Sequence, residues 1–219
     1  MKKAFTMIEL VFVIVVIGIL AAVIIPNTRT NPLYEAATQL VSHIRYTQHL
    51  AMVDDKFDSN ASSEWYKKRW QIIFGTSNYT NGTPAYTIFS DTSKDGEPNP
   101  DEIAVNPLDN SKLLSGGYSG TLYTSDSRAT KKMNLNSYGI TAYDLEGGCS
   151  GARVSFDHLG RPIKGDLSSM SGPYFAGTQR LITQTCNIIL SSSEGNVTIA
   201  VQPETGYACI LNDTGTECI

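Results

Sequence analysis

The sequence predicts an α+β protein in which one long N-terminal helix packs on a mainly antiparallel β domain. Three observations lead to this fold class. The run from Phe5 to Ile25 is almost wholly apolar, and the stretch after Pro32 has apolar residues at helical spacing. The rest of the chain contains short apolar segments that are separated by glycine and serine clusters. The helix would therefore have an apolar half and an amphipathic half, with a kink or brief break at Pro26 and at the Asn31-Pro32 step between them.

The apolar half lies within the first residues of the chain, MKKAFTMIELVFVIVVIGILAAVIIP. A helix over Phe5–Ile25 measures roughly 31 Å at 1.5 Å per residue, which is enough to span a bilayer. Lys2 and Lys3 precede the run, which favours a cytoplasmic N-terminus and places the chain after Pro26 outside. We therefore expect a single-pass protein of the bacterial inner membrane, with its head domain in the periplasm and extractable into a filament.

Glu9 is the one charged residue in this run. A carboxylate near the centre of a bilayer costs about 2–3 kcal/mol, so it usually has a partner and a function. An ordinary secretory signal does not fit, because no A-x-A site after the apolar core leads into a polar mature domain. An uncleaved anchor stays open as the alternative.

This arrangement resembles the class III signal of type IV pilins and pseudopilins, with Ala4 at the cleavage position and Phe5 as the first mature residue. The family usually has glycine where this chain has Ala4. The resemblance implies that a prepilin peptidase cleaves before Phe5 and methylates the new amine. It also implies that Glu9 pairs with the N-terminal amine of a neighbouring subunit, which makes Glu9 an assembly residue rather than a catalytic acid.

The amphipathic half of the helix is expected to end near residue 55, with its apolar stripe against a sheet. The stripe consists of Leu33, Ala37, Leu40, Val41, Ile44 and Ala51. The expected domains are a leader peptide (1–4), a transmembrane and polymerisation helix (5–26), the amphipathic half of the helix (27–55) and a periplasmic β head domain (56–219).

Two strands are expected at Trp70–Phe74 and Ala85–Phe89, and Asn81-Gly82 between them is a hairpin signal. Glycine and serine clusters separate the later apolar segments, and no helical pattern intervenes. The further expected strands are Gly139–Tyr143, Ala152–Phe156, Cys186–Ser191 and Val197–Gln202.

The C-terminal half sharpens the resemblance. RVSFDHLGRPIKG (Arg153–Gly165) and VTIAVQPETGYACI (Val197–Ile210) are similar to segments of minor pseudopilins of the GspH/FimT type. This resemblance implies a subunit of a type II secretion system, whose partners are other pilins or pseudopilins and an inner-membrane assembly platform. The alternatives are a minor type IV pilin for pilus priming, adhesion or DNA uptake, and a periplasmic binding domain that never polymerises.

Charge argues against nucleic acid as a partner. The net charge of −4 becomes −6 once the leader is removed, because 15 basic residues then face 21 acidic ones. The tail after Val201 contains Glu204, Asp213 and Glu217 but no Lys or Arg. The sequence also lacks the G-x-S-x-G, HExxH and phosphate-loop motifs, so we expect no enzyme.

The four cysteines all lie in the last third of the chain, which fits two disulfides in an oxidising compartment. Four cysteines allow three pairings. The short separation of Cys209 and Cys218 favours that pair, and Cys149 with Cys186 would then form the second.

The segment DTSKDGEPNPDE (Asp91–Glu102) follows the spacing of a calcium loop, with oxygen-bearing residues on alternate positions and Gly96 at the tight turn. Pro98 and Pro100 are unusual in such a loop, and a solvated acidic turn is the alternative. The candidate ligands for Ca²⁺ are Asp91, Ser93, Asp95, Glu97, Asn99 and Glu102.

Overall fold

The computed structural model describes residues 6–27, 31–60, 63–118, 120–173, 180–212 and 214–219. The chain divides into two compact units, Met1–Asn31 and Pro32–Ile219. The first unit contains helix α1 (Met7–Asn27). Over its described residues, the second contains helix α2 (Pro32–Val53) and eight β-strands.

The helical residues form two separate helices, so the predicted fold class, with one long N-terminal helix on a β head, is wrong. α2 begins at Pro32, and proline suits the first position of a helix because it lacks the N–H that an interior position must donate. In the ranges that the structure describes, no helix combines enough length with enough apolar character to cross a membrane. That finding overturns the prediction of a single-pass inner-membrane protein.

Helix α2 forms part of the core of the second unit. It packs against strands of both β-sheets of this unit. All six positions of the predicted apolar stripe are buried, which confirms the stripe. The buried residues of α2 are Leu33, Ala36, Ala37, Leu40, Val41, Ile44, Thr47 and Ala51.

The strands form two four-stranded sheets, and every pairing within them is antiparallel. The strands of the first sheet are β1 (Trp70–Gly75), β2 (Ala85–Ser90), β4 (Arg153–Phe156) and β5 (Pro162–Lys164). Those of the second are β3 (Ile140–Gly147), β6 (Cys186–Ser192), β7 (Gly195–Val201) and β8 (Ala208–Ile210). The first sheet has the order β2-β1-β4-β5, and the second has the order β3-β6-β7-β8.

All six strands that the sequence predicts are present, and β5 and β8, of three residues each, are additional. The predicted hairpin joins β1 to β2 through a longer loop than the two-residue signal indicates. Asn81 and Gly82 both have left-handed backbone conformations there, with φ of 57° and 70°. Positive φ favours Asn and Gly, which explains why these residues occupy the turn.

The first sheet has a layer on each face. Ile72 and Ile88 belong to the core cluster that includes α2, whereas Ile73 and Phe89 pack with Ile103 in a separate cluster. The acidic loop that begins at Asp91, directly after β2, therefore adjoins the sheet face that turns away from α2.

Both predicted disulfides are present in the second unit. Cys149 is bonded to Cys186, with a Cα–Cα distance of 4.8 Å, and Cys209 is bonded to Cys218, with a Cα–Cα distance of 5.6 Å. The first joins the turn after β3 to the start of β6, and the second closes a short loop after β8.

Candidate functional site

The surface of α1 is the first candidate site. Its large apolar side chains from Met7 to Leu20 are between 37% and 86% exposed, and they cover every side of the helix. The surface of a monomeric protein rarely contains so continuous an apolar area. The exposed residues are Met7, Ile8, Leu10, Val11, Phe12, Val13, Ile14, Val15, Val16, Ile17, Ile19 and Leu20.

Glu9 lies in the first turn of α1, where its carboxylate is bonded to Thr6. The backbone N–H and the hydroxyl of Thr6 donate to Glu9 Oε2 at 2.8 and 2.7 Å, and the N–H of Glu9 donates back to Thr6 Oγ1 at 3.4 Å. These bonds form a capping box, and they lower the pKa of Glu9. The T-x-x-E spacing is visible in the sequence, so this cap could have been predicted. Ala4 and Phe5, the proposed cleavage site, lie outside the described residues.

The acidic loop after β2 is the second candidate site. Carboxylate oxygens of Asp91, Asp95 and Glu102 all lie within 4.8 Å of one another. Asp91 is fully buried and Glu102 is 5% exposed, whereas Asp95 is at the surface. The loop thus brings together the carboxylates of three of the six residues predicted as calcium ligands.

Both buried carboxylates accept hydrogen bonds from the loop itself. Asp91 accepts from the backbone N–H of Gly96 at 2.9 Å and from the hydroxyl of Ser93 at 3.2 Å. Glu102 accepts from the N–H of Ser93 at 2.6 Å and from that of Asn99 at 3.0 Å. These bonds hold the loop closed around the cluster, with Gly96 in a left-handed conformation at φ 90°.

The side-chain amide of Asn99 fills the space between the oxygens. Its Nδ2 donates to Ser93 Oγ at 3.2 Å, to Asp95 Oδ2 at 3.3 Å and to Glu102 Oε2 at 3.2 Å. A half-turn of the amide about its last torsion angle would exchange this donor for Oδ1, an oxygen that can ligate a hard cation. The loop can therefore close on the Asn99 amide or present an oxygen-lined site.

Glu97, the remaining predicted ligand, turns away from the cluster. Its Oε2 accepts a hydrogen bond from the hydroxyl of Tyr118, and its backbone N–H donates to Asp95 Oδ1 at 2.9 Å. Position 7 of a calcium loop contributes a backbone carbonyl, so the side chain of Glu97 is not needed there.

The electrostatics of the loop distinguish the two buried carboxyls. Burial raises the pKa of Asp91, and the negative charge of Glu102 adds to that effect. Burial also acts to raise the pKa of Glu102, but hydrogen bonds from Asn99, Ser93 and Thr92 outweigh it, so the pKa of Glu102 is lowered. The Glu102 carboxylate is thus the better stabilised anion of the two.

Comparisons with known proteins provide no family assignment. No family model matches the chain, no curated protein matches its sequence, and no solved structure matches its fold.

Proposed function

We propose that this chain is a minor pseudopilin of a type II secretion system. It would assemble through its N-terminal helix into a periplasmic filament that helps to export folded proteins. In this proposal the protein acts mechanically and not as an enzyme. Its partners would be other pilins or pseudopilins, together with the peptidase that removes the leader.

The observation that carries the proposal is the exposed apolar surface of α1. A surface helix of a globular protein normally has one apolar face, and a helix that is apolar on all sides needs partners around it. Burying a side chain such as Leu10 or Phe12 is worth about 1.5–3 kcal/mol relative to leaving it exposed. A bundle of such helices from several subunits would bury this surface, and the filament of the proposal is a bundle of this kind.

Glu9 gives the bundle a specific polar contact. It is the only charged residue in α1, and one of its oxygens, Oε2, accepts from Thr6. In an assembled filament the carboxylate would be surrounded by apolar side chains, where an unpaired charge is costly. The N-terminal amine of a neighbouring subunit, which cleavage before Phe5 would create, could supply the opposite charge.

The second unit is suited to a subunit of a periplasmic filament. Both disulfides lie in it, and structural disulfides persist in oxidising compartments. Its two sheets and α2 share one hydrophobic core. The proposal requires such a stable folded unit in addition to an assembling helix.

A clean deletion tests the proposal directly. The deletion strain and the same strain complemented with the wild-type gene are scored together for exported proteins in the supernatant and for surface pili. We expect folded export substrates to remain in the periplasm of the deletion strain, while pili and twitching stay normal.

The opposite phenotype would contradict the secretion role. Loss of pili, twitching or transformation with normal secretion would assign the chain to a minor type IV pilin. Normal secretion together with normal pili would reject both filament functions.

A further inference from the structure

A shallow, wide-mouthed cleft lies on the surface of the second unit. Its volume is about 350 Å³, at the lower end of the size range of small-molecule sites in proteins. Its lining consists of amide and hydroxyl side chains and one lysine, and it includes Asn81, Thr124, Ser125, Lys131, Asn136 and Ser137.

The walls of the cleft are held in place by the buried side chain of Asn134. Its Nδ2 donates to Thr83 Oγ1 at 3.0 Å and to Thr124 Oγ1 at 3.2 Å, and its Oδ1 accepts from the N–H of Asn136 at 3.1 Å. Three segments that are distant in the sequence are therefore joined through one residue. Such a rigid frame reduces the entropy that binding would cost.

Some groups in the cleft remain available to a ligand. The side chains of Asn81 and Asn136 are exposed and make no hydrogen bond within the described part of the chain. Each amide offers both a donor and an acceptor. Among the described residues of the lining, Lys131 is the one with a charged side chain, and it is also exposed.

Two tyrosines stack beside the cleft. The rings of Tyr79 and Tyr123 lie 4.4 Å apart between centroids, and Tyr123 is 54% exposed. The loop of Tyr123 leads directly into the lining residues Thr124 and Ser125, and the N–H of Thr124 donates to the carbonyl of Tyr79 at 2.9 Å. An aromatic surface therefore adjoins the hydrogen-bonding groups.

We propose that this cleft binds an oligosaccharide. Sugars present many hydroxyls, which paired amide donors and acceptors recognise, and an apolar C–H face, which packs on an exposed aromatic ring. The described part of the lining offers no carboxylate for a cation. It also lacks the several basic groups that a polyphosphate requires. This binding function does not depend on filament assembly.

The test uses the full chain in detergent and an array of neutral, N-acetylated and uronic-acid oligosaccharides. The best of these sugars is then titrated by calorimetry against the wild type and against Tyr123→Ala and Asn136→Ala. We expect each variant to lower the affinity about tenfold. Asn136→Ala changes only an exposed amide, so it decides the question even if Tyr123→Ala fails to fold.

Tyr207→Ala is the matched control. Tyr207 is 50% exposed, and its ring contacts Arg45 in the second half of α2. The cleft residue Lys131 instead adjoins Lys132, which pairs with Glu35 in the first turn of α2. The affinity of Tyr207→Ala should equal that of the wild type. The proposal is overturned if no sugar on the array binds, or if Tyr207→Ala weakens binding as much as Tyr123→Ala does.

Discussion

In α1, Leu10 and Ile14 are 59% and 58% exposed, whereas in α2 Leu40 and Ile44 are completely buried. The two helices are nearly equal in length, with 21 and 22 residues. α2 alternates apolar and polar residues at helical spacing, and the two sheets of its own unit cover its apolar face. α1 is apolar on every side, so no single face of another element could cover it. The comparison indicates that α2 serves folding, and it supports our proposal that α1 contacts other subunits.

Replacing one leucine by alanine in each helix should give the largest difference in stability between the two helices. Leu40→Ala removes a fully buried side chain and should lower the free energy of unfolding of the second unit by about 4 kcal/mol. Leu10→Ala is the matched change in α1 and should leave that free energy unchanged. Urea denaturation followed by tryptophan fluorescence measures both, since Trp65 and Trp70 lie in the second unit. Equal losses in the two variants would contradict the division of roles.

The two disulfides sharpen the comparison within the second unit. Cys149 and Cys186 are 37 positions apart in the sequence, and Cys209 and Cys218 are 9 positions apart. The first disulfide therefore restricts the unfolded chain more. Replacing both cysteines of a pair by alanine should cost about 4 kcal/mol for the first pair and about 2.5 kcal/mol for the second. Chemical denaturation of the two double variants measures the difference, and a larger loss for the second pair would be the contrary result.

A series of side-chain hydrogen bonds between α2 and the first sheet predicts that the stability of the second unit falls at acidic pH. Tyr138 donates to Gln39 Oε1 at 2.7 Å, and Gln39 Nε2 donates to the hydroxyl of Tyr86 at 2.9 Å. The hydroxyl of Tyr86 lies 2.7 Å from His43 Nδ1. A neutral His43 can accept the hydroxyl proton of Tyr86 at Nδ1, whereas a protonated His43 carries a proton on Nδ1 and can no longer accept it.

Burial lowers the pKa of His43 from 6.5 to about 4. Above pH 6.5 the imidazole is neutral in both the folded and the unfolded chain. Between pH 6.5 and 4 mainly the unfolded chain takes up the proton, so the free energy of unfolding should fall by up to roughly 3 kcal/mol as the pH drops. Denaturation between pH 7.5 and 4 should show this slope in wild type and in His49→Gln, an exposed control, but not in His43→Gln. A slope in His43→Gln equal to that of the wild type would show that His43 does not cause the loss of stability.

Calcium should have the smallest effect on the second unit. Binding at the acidic loop requires the Asn99 amide to turn, and we expect millimolar Ca²⁺ to raise the unfolding temperature by about 3 °C. Asp95→Asn should abolish the increase, whereas Asp109→Asn, an exposed change outside the cluster, should preserve it. Equal destabilisation by Asp95→Asn with and without calcium would reject the site.

The elements that local pattern specifies could be predicted from the sequence. The stripe from Leu33 to Ala51, the strand at Trp70 and the turn at Asn81-Gly82 each depend on neighbouring residues only, through periodicity or through positive φ. The prediction of one long helix failed at the junction of its two halves. Pro26 and the Asn31-Pro32 step predicted only a kink or brief break there, whereas the structure has two separate helices and α2 begins at Pro32.

The sites depend on tertiary contacts, and the sequence reveals them less well. The spacing of the acidic loop indicated that Asp91 and Glu102 meet, but not that Asn99 would donate between them. The polar cleft was not predicted at all. Asn134 joins Thr83 and Thr124 across long separations, and no local pattern encodes that contact.

The central claim, that α1 assembles subunits through its apolar surface and the charge of Glu9, is tested most directly by cross-linking in cells. Val16→Cys places a thiol on the exposed surface of α1, and disulfides between neighbouring subunits report assembly. Glu9→Gln removes the charge but keeps an oxygen that can accept from Thr6, whereas Thr6→Ala weakens the cap and keeps the charge. We predict that Glu9→Gln reduces the cross-linked fraction about tenfold and that Thr6→Ala leaves it nearly unchanged. Loss of cross-linking in Thr6→Ala with full cross-linking in Glu9→Gln would show that Glu9 only caps the helix, and would contradict the claim.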